Sequence, residues 1–447
     1  MNSAAPHILC VNPWIHDFAA FDFWAKPLGL LQIASVLRDH GVTVSYLDCT
    51  DRFHANEVNE VKMSWDGRGP YRKKEIPLPH LKGLEKSVQK FSRYGIEPEW
   101  FRQDLEDLKT GKKVDLIFVT SLMTYWASGV QETIKTIKEI FPSVPVVLGG
   151  IYASLCSDYA EKYSEADFVV KGSGFKNLNK IVNDYTLYDM GFEYHPDNLD
   201  KLPYPALDMQ NKIAYAPVLT SIGCPFNCEY CASSYLAPDF YQRSPESVFD
   251  EIAHWHHKYA IKNFAFYDDA LLINGEKYAF LLFEKIIESG MDLWFHTPNA
   301  IHIKEITEKA SLLMYKAGFK TIRLGLETTD FDHRKFDSKV KEGEFYDALK
   351  NLKKAGFQNS QIGAYLLCGL PGQSLGSVRK SFLKVKESGI RPTLAYYTPI
   401  PHTKMWEKAK KYSKYDIEKD PLYTNNTLFP CIFEKEVTKK IAIIKNL

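Results

Sequence analysis

The 447-residue sequence contains no run of about 18 uninterrupted apolar residues, the length a helix needs to cross a bilayer. A membrane-spanning segment is therefore not expected. Nor does "MNSAAPHILCVNPW" join a basic start to a long apolar stretch, so no secretory leader is expected and a cytoplasmic location is read. Charge of one sign is missing too: 56 Lys and Arg against 55 Asp and Glu leave a net +1. No polyelectrolyte partner is demanded, and no nucleic-acid-binding element is evident. Cysteine is scarce. Eight thiols, of which Cys10, Cys49, Cys156, Cys368 and Cys431 lie far apart, make no disulfide framework. Only Cys224, Cys228 and Cys231 cluster, in "GCPFNCEYC". Even there a fourth thiol is lacking, and a closed structural metal site wants four ligands.

Aromatics are plentiful, with 26 Tyr and 27 Phe, which suits deep pockets and core packing alike. The first third alternates strand and helix patterns. "HILCVNP", "VTVSYLD", "VDLIFVTSLM", "VPVVLGG" and "DFVVKGS" are uniformly apolar strands, the pattern of a parallel sheet covered on both faces. "PLGLLQIASVLRDHG" sets Leu30, Ile33, Ala34 and Leu37 on one helix stripe, with Gly41 after its end. A doubly wound α/β domain is expected over residues 1–190. It is interrupted by an insertion over 51–113, rich in charge, proline and aromatics, with one or two short helices at most. Residues 191–213, with three prolines, read as a linker.

A second alternating series follows. Gly290, Gly318, Gly356 and Gly389 each end a helix pattern just before a strand, at intervals of 28, 38 and 33 residues. With "PVLTSIG" and "NFAFYDD" in front, six βα units predict a (β/α)6 partial barrel over 214–406, and a tail of unread fold over 407–447. Functional loops of such a barrel follow the carboxyl ends of its strands, and the three cysteines follow the first one. Thiolates at this density suit zinc or an iron–sulfur cluster. With three protein ligands, one metal position stays open, as at catalytic centres.

This C-x3-C-x2-C motif, with Tyr230 before the last cysteine and at the first strand of a partial barrel, resembles the radical S-adenosylmethionine (SAM) family. The resemblance implies a [4Fe-4S] cluster on Cys224, Cys228 and Cys231 whose open iron binds SAM. One electron from an external flavodoxin- or ferredoxin-type donor then cleaves SAM to a 5′-deoxyadenosyl radical, which abstracts a hydrogen from a substrate the sequence does not identify. It also implies SAM contacts from Tyr230, from Asp268 or Asp269 where the family often has Gly-Gly-Glu, from Glu327 in "IRLGLETTD", and from the "GAYLLCGLPGQS" segment that begins at Gly363. "YYTPIPHTKMW" resembles the sixth strand of cobalamin-associated members, with His402 where Gly is more usual.

The first domain resembles the cobalamin-binding Rossmann-like domain that precedes the barrel in many such enzymes. "KPLGLLQIASVLRDHGVTVSYLD", "VPVVLGGIYASL" and "DFVVKGSGFKNL" carry the likeness. Gly149-Gly150-Ile151-Tyr152 stands where Gly-Gly-x-His is common, and Gly172-Ser173-Gly174-Phe175 where Gly-Glu-Gly-Glu is. The Asp-x-His-x-x-Gly segment of some cobalamin proteins is absent. Cobalamin contacts are implied for Asn12, Ser121, Gly149, Gly150, Gly172 and Gly174. Methyl transfer is the reaction expected with cobalamin, and a radical rearrangement without it. The insertion and Met123–Trp126 are the candidates for touching substrate. Three other readings stand beside this one. Cys10, Cys49 and Cys156 could hold a second cluster, as in methylthiotransferases acting on RNA or protein. The three clustered cysteines could hold zinc completed by His254, His256 or His257. The chain could also be a cluster-binding module with no enzymatic role.

Overall fold

A computed structural model describes residues 5–84, 90–332, 334, 336–337 and 339–447. Residues 85–89 of the expected insertion lie outside that set. The chain forms two compact units: residues 1–196, 201–214 and 419–423, and residues 197–200, 215–418 and 424–447.

The first unit holds a five-stranded parallel sheet. Its strands are β1 (His7–Asn12), β2 (Thr43–Asp48), β3 (Leu116–Val119), β4 (Val146–Leu148) and β5 (Phe168–Val169), in the order β2-β1-β3-β4-β5. Every residue of β1, β3 and β4 is buried, as a parallel sheet covered on both faces requires. Alternate side chains feed two cores. Leu9, Val11, Ile117 and Val119 face α2 (Pro98–Gly111) and α3 (Ala127–Ile140). Ile8, Cys10, Leu116 and Phe118 face α1 (Leu28–Asp39) and α4 (Leu178–Thr186).

The insertion differs from its expected form. Helix α2 buries Phe101 and Leu105 against the sheet, so it is the regular crossover between β2 and β3. The stretch before it adds two short strands, Lys73–Glu75 and Ser92–Tyr94; the second pairs antiparallel with the first on one side and with Ile15–Asp17 on the other. A charge-rich sequence hid these strands, because three residues are too few to show a period-2 alternation.

The second unit holds six parallel strands paired in chain order: β6 (Ala216–Val218), β7 (Asn263–Phe266), β8 (Trp294–His296), β9 (Phe319–Glu327), β10 (Ile362–Cys368) and β11 (Arg391–Tyr396). Between them run α5 (Pro245–Tyr259), α6 (Ala279–Ser289), α7 (Glu308–Ala317), α8 (Glu342–Ala355) and α9 (Leu375–Glu387). All four expected helix-ending glycines have positive φ. Phe266, Phe295 and Phe319, from three neighbouring strands, stack with centroids 5.4–5.6 Å apart and pack on Phe283 of α6. The tail, unread in the sequence, includes a final helix, α10 (Val437–Lys445), packed on α9.

One glycine fixes the turn after β4. Gly150 has φ 96° and ψ −167°, a region open essentially to glycine alone, and a Cβ there would overlap the Ser121 carbonyl. Gly150→Ala is expected to cost the first unit about 3 kcal/mol, read as a lower midpoint in its urea transition. A change below about 0.5 kcal/mol would contradict this geometry.

Candidate functional site

The cysteine loop leaves the carboxyl end of β6 under tight local control. Ser221–Ile222 pairs with Tyr241–Gln242, so a two-stranded clamp brackets the loop. Gly223 sits at its base with φ 84°, where a Cβ would overlap the Asp239 carbonyl. Asp268, two residues past β7, locks the start of the loop. Its carboxylate accepts from the Thr220 backbone N–H (3.0 Å), the Thr220 hydroxyl (2.7 Å) and the Ser221 hydroxyl (2.6 Å). Asp268 is 3% exposed, and burial raises its pKa against those donors.

Each of the three sulfurs has its own stabilising neighbour. The Phe226 backbone N–H serves Cys224. Lys339 acts on Cys228 as a nearby positive charge that favours its thiolate. The Ser233 N–H reaches Cys231 Sγ at 3.5 Å, and the Ser233 hydroxyl lies 3.2 Å away. Burial pushes the Cys228 thiol up to about 11, with Lys339 pulling the other way; burial likewise raises Cys224. Such neighbours stabilise sulfur-held negative charge, the condition for thiolate ligation. Among the described residues no three His, Cys, Asp or Glu side chains converge on one point. A single ion requires that convergence, whereas a cluster spreads its cysteines over separate irons. The donor set therefore fits a cluster better than zinc. His256 is engaged with the Ile261 carbonyl at 2.8 Å, on α5.

The other expected SAM contacts divide. Tyr230 is half-buried, its hydroxyl 3.4 Å from Lys339 Nζ and 3.5 Å from Asp337 Oδ2. Glu327 ends β9 with φ 62°, beyond a register shift at Gly325. It is 7% exposed, and burial raises its pKa while Lys339 opposes the rise. A left-handed glutamate in a buried site is strain of the kind that collects where function needs it. Asp269, by contrast with Asp268, is exposed and accepts from the Ser233 hydroxyl at 2.6 Å, beside Cys231. Gly363 lies at the amino end of β10, paired with Arg323 and Arg391. Five residues of strand, about 16 Å, separate it from Cys368 at the edge where Glu327 lies.

Three site residues had gone unread. Ser233 bridges Cys231 and Asp269. His302 is 6% exposed, its Nε2 3.9 Å from Cys224 Sγ and its ring 4.2 Å from Phe226; burial lowers its pKa to about 3, with Lys339 adding to the fall. Burial also pulls Lys339 down, but Glu327, Cys228 and Asp337 outweigh it and raise its pKa. Ser233 adjoins the motif and was findable. Lys339 and His302 are brought in by loops after β9 and β8, which no local pattern reports.

The first unit has a cavity of about 200 Å³ at the carboxyl ends of β3, β4 and β5, closed by α1 and α4. Gly149, Gly150, Gly172 and Gly174 line it, among Leu30, Ile33, Phe118, Val147, Val170 and Phe175. Ser121 supports the wall from behind: its hydroxyl donates to the Gly149 carbonyl (2.6 Å) and accepts from the Ala153 N–H (3.2 Å). Asn12 is not brought there. Its amide donates to Asp48 (2.7 Å) and Thr50 (2.9 Å), and it lines a separate, smaller pocket with Trp14 and Trp126. Cys10 lies in the core on one face of the sheet, while Cys49 and Cys156 lie with the core on the other, so they cannot share a cluster.

Residues 218–385 match the radical SAM superfamily and residues 89–181 match the B12 binding domain. An uncharacterised methyltransferase of Pyrococcus horikoshii, PH0819, is 26% identical over 306 residues, 62% of this chain and 65% of that protein. The anaerobic magnesium-protoporphyrin IX monomethyl ester cyclase of Cereibacter sphaeroides is 24% identical over 345 residues, 67% of this chain and 55% of that protein. The chain thus spans less than two thirds of either relative. Among solved structures, the radical SAM methyltransferase TsrM of Kitasatospora setae, with cobalamin and a [4Fe-4S] cluster bound, superposes with TM-score 0.66. It covers 94% of this chain and 82% of its own at 15% identity, a likeness of fold.

The two neighbouring aspartates should separate by stability. Asp268→Ala strands three buried donors and is expected to cost about 3 kcal/mol. Asp269→Ala is expected to cost below about 1 kcal/mol. Urea unfolding of both variants checks the pair, and equal losses would contradict the assignment.

Proposed function

We propose that this chain, which joins a radical SAM domain to a B12-binding domain, is a cobalamin-dependent radical SAM methyltransferase. The observation that carries the reading is the presence, in one chain, of three cysteines on one ordered loop at the carboxyl edge of a parallel sheet and a glycine-lined apolar cavity in a second one. When bound, the cluster supplies the electron that cleaves SAM, and cobalamin carries the methyl group. The chain's own residues hold, orient and shield. Cys224, Cys228 and Cys231 hold the cluster. Asp269 and Glu327 face SAM polar groups, Asp269 being the exposed member of its pair and Glu327 the strained strand end. Asp268 orients the loop rather than touching ligand. Gly149, Gly150, Gly172 and Gly174 leave bare backbone against which a flat, apolar part of cobalamin can lie. Both relatives named above act as whole proteins longer than the match, so the methyl acceptor is left open.

The test is anaerobic. Reconstituted protein is expected to hold about four irons per chain, and Cys228→Ala to lose them. With reductant and SAM, S-adenosylhomocysteine and 5′-deoxyadenosine should both form when cobalamin is present. Formation of 5′-deoxyadenosine alone would replace methyl transfer with the rearrangement reading. Seven or eight irons per chain would contradict the single-cluster reading.

The cavity offers an independent check. Gly29 lines it from α1, and a Cβ there meets nothing within 4 Å. Gly29→Phe is expected to weaken hydroxocobalamin binding at least tenfold. The melting temperature should hold or rise slightly, since glycine inside a helix costs up to about 1 kcal/mol. Unchanged binding in a spectroscopic titration would show the cavity is not the cobalamin seat.

A further inference from the structure

Lys339 lies on the loop that follows β9, far in sequence from the cysteines, yet that loop is fastened to them. The Glu229 N–H, between Cys228 and Cys231, donates to the Phe336 carbonyl at 3.0 Å. The Phe336 ring stands 5.9 Å from that of Tyr230. Arg334 anchors the loop from below, donating to the Leu326 carbonyl at 2.6 Å and pairing with Asp337 at 2.5 Å; both side chains of the pair are almost wholly buried. Asp337 in turn accepts from the Lys339 N–H at 3.2 Å. The result is an ammonium 3.4 Å from the Tyr230 hydroxyl, inside the cysteine motif, where it feels the charges of Glu327, Cys228 and Asp337.

A fixed cation beside a sulfur ligand stabilises whichever redox state carries more negative charge. Reduction adds one electron to a cluster already ringed by thiolates and facing Glu327 and Asp337. Those carboxylates oppose the electron; Arg334 is paired with Asp337, and Lys339 is a cation whose charge acts on Cys228 and Cys224. We propose that Lys339 is a positioning residue that sets the electron affinity of the cluster through Cys228, so that an external one-electron donor can reduce it. The inference rests on the cluster reading above, and adds a role for a residue outside the cysteine motif.

The experiment is an EPR-monitored redox titration of anaerobically reconstituted protein, together with its iron content. Lys339→Gln removes the charge and leaves a shorter, neutral side chain that can still donate. Its cluster is expected to be at least tenfold harder to reduce, a fall of about 59 mV or more in midpoint potential. Lys339→Arg should stay near the wild type. A loaded Lys339→Gln cluster titrating at the wild-type potential overturns the proposal. If Lys339→Gln folds normally by circular dichroism but takes up no iron, Lys339→Arg decides. Iron uptake by the arginine variant supports the need for charge, and no uptake assigns the residue a steric role and overturns the proposal. Failure of the wild type to bind iron would instead remove the cluster reading itself.

Discussion

A buried carboxylate decides where the chemistry of the second unit begins. Asp268 takes the backbone and hydroxyl donors of Thr220 and the hydroxyl of Ser221, and so ends β6 at a fixed place. The cysteine loop starts from that point and is closed by the Ser221–Ile222 clamp. A buried charge is costly unless every lone pair is used, and here the donors come from the one stretch whose position matters. The sulfurs inherit this order. What stabilises them comes from three different places: the loop's own Phe226, the following Ser233, and the charge of Lys339 on the loop after β9.

The fold was largely legible because it is written in repeated local patterns. Uniformly apolar strands announced the covered parallel sheet, and glycines at helix ends marked the βα units. The cysteine spacing was equally plain, since its meaning is local. The finer site was not. "DDA" gives no hint that Asp268 turns inward and Asp269 outward; that depends on which face of the loop meets Thr220. Gly363 shares a strand with the edge where the ligand is expected, but sequence likeness does not say at which end of seven residues it falls. Asn12 ends β1 as expected, yet a neighbouring Asp48 and Thr50 claim its amide. In each case the tertiary setting, rather than residue type, decides what the side chain or backbone meets.

The first unit solves a different problem, a cavity that must stay open inside a packed domain. Side chains would fill it, and the four glycines at the carboxyl ends of β4 and β5 keep them out. Both Gly150 and Gly172 have positive φ, which favours glycine; at Gly150 a Cβ would also strike the Ser121 carbonyl, while at Gly172 it would meet nothing within 4 Å. Ser121 and Ser154 then pin the turn by bonding to the Gly149 and Gly150 carbonyls at 2.6 and 2.8 Å, so openness does not become looseness.

Glu327 and Lys339 explain one another. A glutamate at φ 62° and nearly without solvent would ordinarily be unfavourable on two counts, backbone strain and desolvation. The register shift beyond Gly325 turns it toward Tyr230, and Lys339 supplies the opposing charge. Remove the lysine, and the carboxylate loses the cation that keeps its proton affinity in check; remove the glutamate, and the lysine loses the largest influence that raises its own. The two are held at opposite ends of one loop, β9 to residue 339, whose buried Arg334–Asp337 pair fixes the span.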